Sequence, residues 1–184
     1  MDTTELLDQG FAWTAARIAA VPSDGLDLPT PCDRWNMREL LDHIIGVLTM
    51  VTDAVDTMPA VGTPDAPALG STPWDRAIAD LAARSRLAWE APGVMDRTFE
   101  LPIGTMPAPV LKSSALLELV VHGWDISQAS GEAAEIPDAL ARPVLEFARQ
   151  AIGDDSRGDL FGADLGLGAT PSDQLVAFLG RKPL

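Results

Sequence analysis

The sequence predicts an all-α protein, a four-helix bundle with short additional C-terminal helices. Three observations carry this expectation. Apolar residues recur at helical spacing in four long stretches. Capping residues open several of these stretches, and proline or glycine closes them. Strand signal is scarce between them, so helices must bury their apolar stripes against one another.

Taken in order, Asp2-Thr3-Thr4-Glu5 reads as a helix start, with Glu5 placed to complete a capping box. Leu6, Leu7, Phe11, Trp13, Ala16 and Ile18 carry this first helix over 2–21, and Pro22 ends it. A Pro-, Asp- and Gly-rich loop leads to Asn36, which with Glu39 opens a second helix over 36–57. Its inward stripe is Met37, Leu41, Ile44, Leu48, Val51 and Val55. Residues 59–73 form a loop, and a third helix covers 73–90. The following APGVMDRTFELPIGTMPAP holds either a short strand or nothing regular. A fourth helix spans 110–129 and is capped by Gly131. A fifth covers about 138–152, and a short last one begins near Pro171 and ends at Gly180. No internal repeat and no second domain is evident, so residues 1–184 are expected to form one domain.

Composition narrows the function. A chain of 184 residues with 47% hydrophobic and 22% charged residues can bury a full core unaided. The formal net charge of −14, with no basic cluster, disfavours nucleic acid and anionic membrane surfaces as partners. Cys32 is the one cysteine, so no internal disulfide is available. The acidic N-terminal residues do not resemble a signal peptide, and no run approaches the roughly 20 apolar residues of a membrane span. A cytoplasmic location is expected.

The chain has two histidines, His43 and His122. Glu118 and His122 stand four apart, which on a helix sets them about 40° apart on one face. Leu111, Ala115, Val121, Asp125 and Ala129 share that face. A carboxylate on such a strip needs a compensating charge, and a metal ion is one candidate. His43 lies at the border of the second helix's stripe, where antiparallel packing would bring it near the pair. Two imidazoles and a carboxylate make an open metal site with a position left for water or substrate. Zinc suits these ligands, and iron or nickel are further candidates. Spacing alone points more often to a surface Glu–His hydrogen bond and a satisfied border histidine than to a metal site. Cys32 is either a further soft ligand, a reactive thiol or a small filler. Asp125, one turn beyond His122, either orients a metal-bound histidine or water, as a catalytic supporting residue, or caps backbone. Trp35 and Trp124 belong to a pocket wall or to the core. Asp33, Arg34 and Arg38 look solvated.

PTPCDRWNMRELLDHIIGVL resembles the opening motif of a DinB/YfiT-like helical metal-binding family common in actinobacteria, where Thr-Pro-Cys, a Trp and a helix-borne His follow in this order. LPIGTMPAPVLKSSALLELVVHGWDISQASG is similar to its second motif, with Gly-x-Met-Pro and then Glu-x-x-x-His-Gly-Trp-Asp. ATPSDQLVAFLGRKP resembles the Leu-Gly-Arg-x-Pro ending. The resemblance spans nearly the whole chain. It implies a DinB-like bundle related to the metal-binding part of mycothiol-dependent maleylpyruvate isomerases, with His43, Glu118 and His122 as the metal ligands. It further implies a thiol, mycothiol, as cosubstrate and an electrophilic small molecule as its partner, in an S-transferase or isomerase. Those isomerases carry an additional C-terminal domain that this sequence is expected to lack. The alternatives are a metal-dependent hydrolase, a non-catalytic metal- or ligand-binding module, and a relative that kept the fold and lost the chemistry.

Overall fold

Helix α1 (Thr3–Ala19) faces the interior with Leu7, Phe11, Thr14 and Ile18, spaced by four, three and four residues. These are the coordinates of a computed structural model that describes residues 3–56, 74–158 and 160–182. Ala16, expected on the inward stripe, is exposed. It lies five residues from Phe11, about 140° around the axis, so no rotation of α1 buries both. Thr14 takes the interior place. Its hydroxyl, 2.7 Å from the Leu119 carbonyl and 3.0 Å from that of Gly10, is satisfied there. The helix stops two residues short of Val21, because Ala20 and Val21 turn their N–H groups onto carbonyls three residues back. Asp2 of the expected first cap lies outside the described residues.

Helix α2 (Met37–Val55) starts as its sequence requires. The Asn36 side chain accepts the Glu39 N–H at 3.0 Å, and the Glu39 carboxylate accepts the Asn36 N–H at 2.9 Å. All six residues expected on its inward stripe are buried. The loop expected over 59–73, the last residue expected in the second helix and Pro73 at the head of the third lie outside the described residues. Helix α3 (Trp74–Trp89) packs against α1 and α2.

The stretch left open by the sequence forms a hairpin. Strand β1 (Thr98–Leu101) pairs antiparallel with β2 (Gly104–Pro107), Thr98 opposite Pro107 and Leu101 opposite Gly104. Phe99 and Leu101 alternate inward, with Phe99 edge-on to Trp89 at 6.2 Å.

Helix α4 (Ala108–Ala129) begins two residues before the expected start, because Pro109 sits in the first turn, where its missing N–H costs no bond. It is buried on nearly every side, against α1, α2 and α5 (Asp138–Ala151). Gly123 permits the close approach of α1: a Cβ there would lie 2.5 Å from Nε1 of Trp13, whose indole donates to the Val120 carbonyl at 3.2 Å. Gly131, at φ +79°, closes α4 as expected, its N–H on the Gln128 carbonyl.

Helix α6 (Pro171–Phe178) packs on α5 and has a Thr170–Asp173 capping box. It ends in a Schellman motif: Gly180 N–H bonds to the Ala177 carbonyl and Arg181 N–H to that of Val176, with Gly180 at φ +82°. One cluster of buried apolar side chains runs from Leu6 on α1 to Leu179 after α6. Among the described residues, no helix is long and apolar enough to cross a membrane.

Candidate metal centre

Three side chains singled out in the sequence meet where α2 crosses α4. His43, half-buried on α2, points Nε2 at Glu118 Oε2 across 3.3 Å. His122, one turn along α4, points its own Nε2 at the same oxygen from 3.2 Å. The two imidazole rings stand edge to face, 5.2 Å apart at 88°. One donor atom from each of the three residues lies within 4.8 Å of the others. The Glu118 side chain is 26% exposed, so it faces the cavity rather than lying sealed on an apolar strip.

Each imidazole is braced from behind. The Trp35 ring stacks on His43 at 4.0 Å and 26°, which fixes the plane of that ring. His122 Nδ1 lies 2.9 Å from Oδ2 of Asp125, a carboxylate that is completely buried. A carboxylate only accepts, so Nδ1 carries a proton, and Nε2, which faces the Glu118 carboxylate, is the nitrogen turned to the cavity. Asp125 in turn accepts Nε of Arg181 on Oδ1 and Nη2 on Oδ2, both at 2.8 Å. This fork–fork pair reaches α4 from the turn after α6.

The charges are strongly coupled. Burial alone would lower the pKa of His122, but the hydrogen bonds and charges of Asp125 and Glu118 raise it to about 9. Burial opposes ionisation of Glu118 too, yet the two imidazoles hold it well below the usual carboxylate range. Asp125 is held down against burial, first by the Arg181 charge and then by His122. Burial pushes the Cys32 thiol up, and the Arg181 charge only partly offsets this.

The trio opens into a cavity of about 140 Å³. Leu117 and Val121 of α4, Trp35, and Leu160 and Phe161 from the loop before α6 form its apolar wall. Cys32, Arg34 and Arg181 also line it. Cys32 is thus neither deeply buried filler nor part of the ligand trio. Trp35 belongs to the pocket wall, whereas Trp124 is core. Asp33, Arg34 and Arg38 are exposed, as expected.

The donor set fits a divalent metal on chemical grounds. Two neutral-capable imidazole nitrogens and a carboxylate oxygen converge from two helices, with one imidazole already tethered at its far nitrogen. The sequence does not by itself relate Arg181, in its Leu-Gly-Arg-x-Pro context, to this centre. A completely buried Asp125 demands a counter-charge, and that demand was the available signal. Leu160 and Phe161 offered no periodic signal in their glycine-rich loop.

Comparison with known proteins agrees with this architecture. The sequence profile of the mycothiol maleylpyruvate isomerase N-terminal domain matches residues 7–127, from α1 to the last turns of α4. The chain belongs to this family. His43, Glu118, His122 and Asp125 fall inside the matched stretch, and Arg181 outside it. Two uncharacterized proteins of Mycobacterium tuberculosis, from strains CDC 1551 / Oshkosh and ATCC 25618 / H37Rv, are each 33% identical over 172 residues, covering 91% of both chains. Crystal structures of mycothiol-dependent maleylpyruvate isomerase superpose with TM-scores of 0.60 for a mutant and 0.57 for a second structure, at 19% and 20% identity. Each covers 82% of this chain and 72% of the isomerase chain. At that identity the likeness is one of fold: the protein has the all-α, DinB-like bundle.

Proposed function

We propose that this family member binds one divalent metal ion, zinc by preference, through His43, Glu118 and His122, and uses it as a mycothiol-dependent S-transferase or isomerase. The observation that carries the metal reading is the convergence of both Nε2 atoms on one oxygen of Glu118. Family membership supports mycothiol as the thiol and an isomerase-like use of it. The continuous core supports treating residues 1–184 as one such domain.

A zinc ion held there would supply a Lewis acid that lowers the pKa of a thiol toward neutrality. The chain's own residues prepare the rest. Trp35 holds the His43 ring in place, and Asp125 keeps the His122 proton on Nδ1. The walls from Leu117, Val121 and Phe161 thin out water around the carboxylate and strengthen its interactions. Asp125 has no access to a substrate, being completely buried, so its part is to orient His122.

The test uses the full chain stripped of metal and titrated with zinc. One equivalent per chain is expected, and His43→Ala, Glu118→Ala and His122→Ala should each abolish or sharply weaken uptake. The parent should then convert maleylpyruvate with mycothiol only when zinc is present. If His43→Ala binds zinc as tightly as the parent, the site is wrongly drawn. If zinc binds but maleylpyruvate is not isomerised and no thiol is transferred to an electrophile, the transferase or isomerase reading fails, and a hydrolase or a non-catalytic module remains.

A further inference from the structure

The outer support of the centre is unusually complete. Asp125 accepts three hydrogen bonds on its two oxygens, two from Arg181 and one from His122. The side chain of Arg181 is 10% exposed, so nearly all of it is enclosed. Its backbone is fixed as well, as the residue after the glycine of the Schellman motif. Gly180 lies flush against the preceding loop: a Cβ on it would come within 2.4 Å of the Gly162 Cα. Arg157 ties that loop down by donating to the carbonyls of Gly162 and Phe178 at 2.7 and 2.9 Å.

We infer that Arg181 is a positioning residue for the centre: its guanidinium fork fixes the plane of the Asp125 carboxylate, so that Oδ2 faces His122 Nδ1 and Nε2 is left facing Glu118 and His43. A carboxylate with one partner rotates about its last bond, whereas two parallel N–H···O bonds hold it in a single plane. Lysine at 181 would supply charge without that planar grip. The purpose assigned to Arg181 rests on the metal reading above, but its geometric effect on His122 does not.

The experiment therefore has two readouts on the full chain. The first is the His122 imidazole Nδ1–H resonance in metal-free protein, followed by proton and nitrogen NMR in a His43→Ala background, where His122 is the one histidine left. The second is zinc affinity in the chain with His43 intact. R181M should lose or exchange-broaden the resonance and weaken zinc binding by about 10–100-fold, the usual cost of removing an outer support. R181K, which keeps a charge beside Asp125 and so guards against misfolding, should show a broadened resonance and an intermediate affinity. Circular dichroism establishes that each variant is folded. A parent-like resonance and parent-like zinc affinity in R181K, or in folded R181M, would overturn the inference. Should the parent take up no zinc at all, the metal reading falls, and the metal-free resonance alone still decides the role of Arg181.

Discussion

His122 makes the stability of the metal-free protein depend on pH in a direction opposite to ordinary acid denaturation. Its folded pKa, raised to about 9, lies above its ordinary value of 6.5. Its contribution is therefore fully present below pH 6.5 and is lost as pH rises through about 9. The difference corresponds to about 3 kcal/mol at most, since each unit is worth roughly 1.4 kcal/mol. The side chain is only 9% exposed, so solvent screening reduces this little. In a chain of this size that loss lowers Tm by roughly 6–12 °C. Glu118 and Asp125, whose pKa values are depressed, act in the acid range: their contribution is present above their ordinary values and lost as pH falls through the folded ones. Stability of the chelator-treated protein should thus peak between about pH 4.5 and 6.5. Thermal melts at half-unit steps from pH 6 to 9.5, with chelator and with excess zinc, measure it. With zinc the trend should reverse, because the metal must displace the His122 proton and the Tm increment it gives grows with pH. A chelated parent whose Tm stays flat from pH 6.5 to 9, or a His122→Gln variant that keeps the parent's slope, would refute the coupling.

Other perturbations separate the centre from its scaffold. Asp125→Asn should leave zinc stoichiometry at one per chain while weakening affinity about 10–100-fold by calorimetric titration, because it keeps the shape and loses the charge-assisted bond to His122. Leu119→Ala empties a completely buried position between α1 and α4 and should cost about 2–5 kcal/mol in denaturant unfolding, with zinc still bound by the folded fraction. Asn36→Ala removes half of the capping box ahead of His43's helix and should cost about 1 kcal/mol in the same assay.

Much of the fold was legible because helices announce themselves locally. Asn36 and Glu39 three residues apart, and the Met37-to-Val55 stripe, specify α2 without reference to anything distant. The hairpin was not legible, since Phe99 and Leu101 are only two inward residues in a proline-broken stretch, below what a period-two signal needs. The side on which Ala16 sits is not legible, because alanine sits inside and outside with little difference in energy, and the burial of Thr14 depends on a carbonyl of another helix. The same limit applies at the centre. The Glu118–His122 spacing is a property of one helix, but Arg181 reaches Asp125 across 56 residues, and only the folded chain relates them. Cys32 remained ambiguous in the sequence for the same reason: a loop residue's depth depends on what packs over it.

The dimensions of the cavity bear on what kind of molecule it can discriminate. A volume of about 140 Å³ falls below the roughly 300–1,000 Å³ of pockets that enclose a drug-sized ligand. It is a recess that admits the end of a molecule rather than the whole of it. On the proposed function, a larger compound would reach Glu118 with one end and lie with its body against the largely exposed Leu160. Selection by such an opening works by reach rather than by enclosure. The inserted end would meet the two imidazoles and the carboxylate, while the rest of the molecule would meet the other lining residues, Arg34, Cys32 and Leu160 among them. A family member with the same His–Glu–His trio would then take a different molecule through changes at those outer lining positions alone, with the trio left untouched.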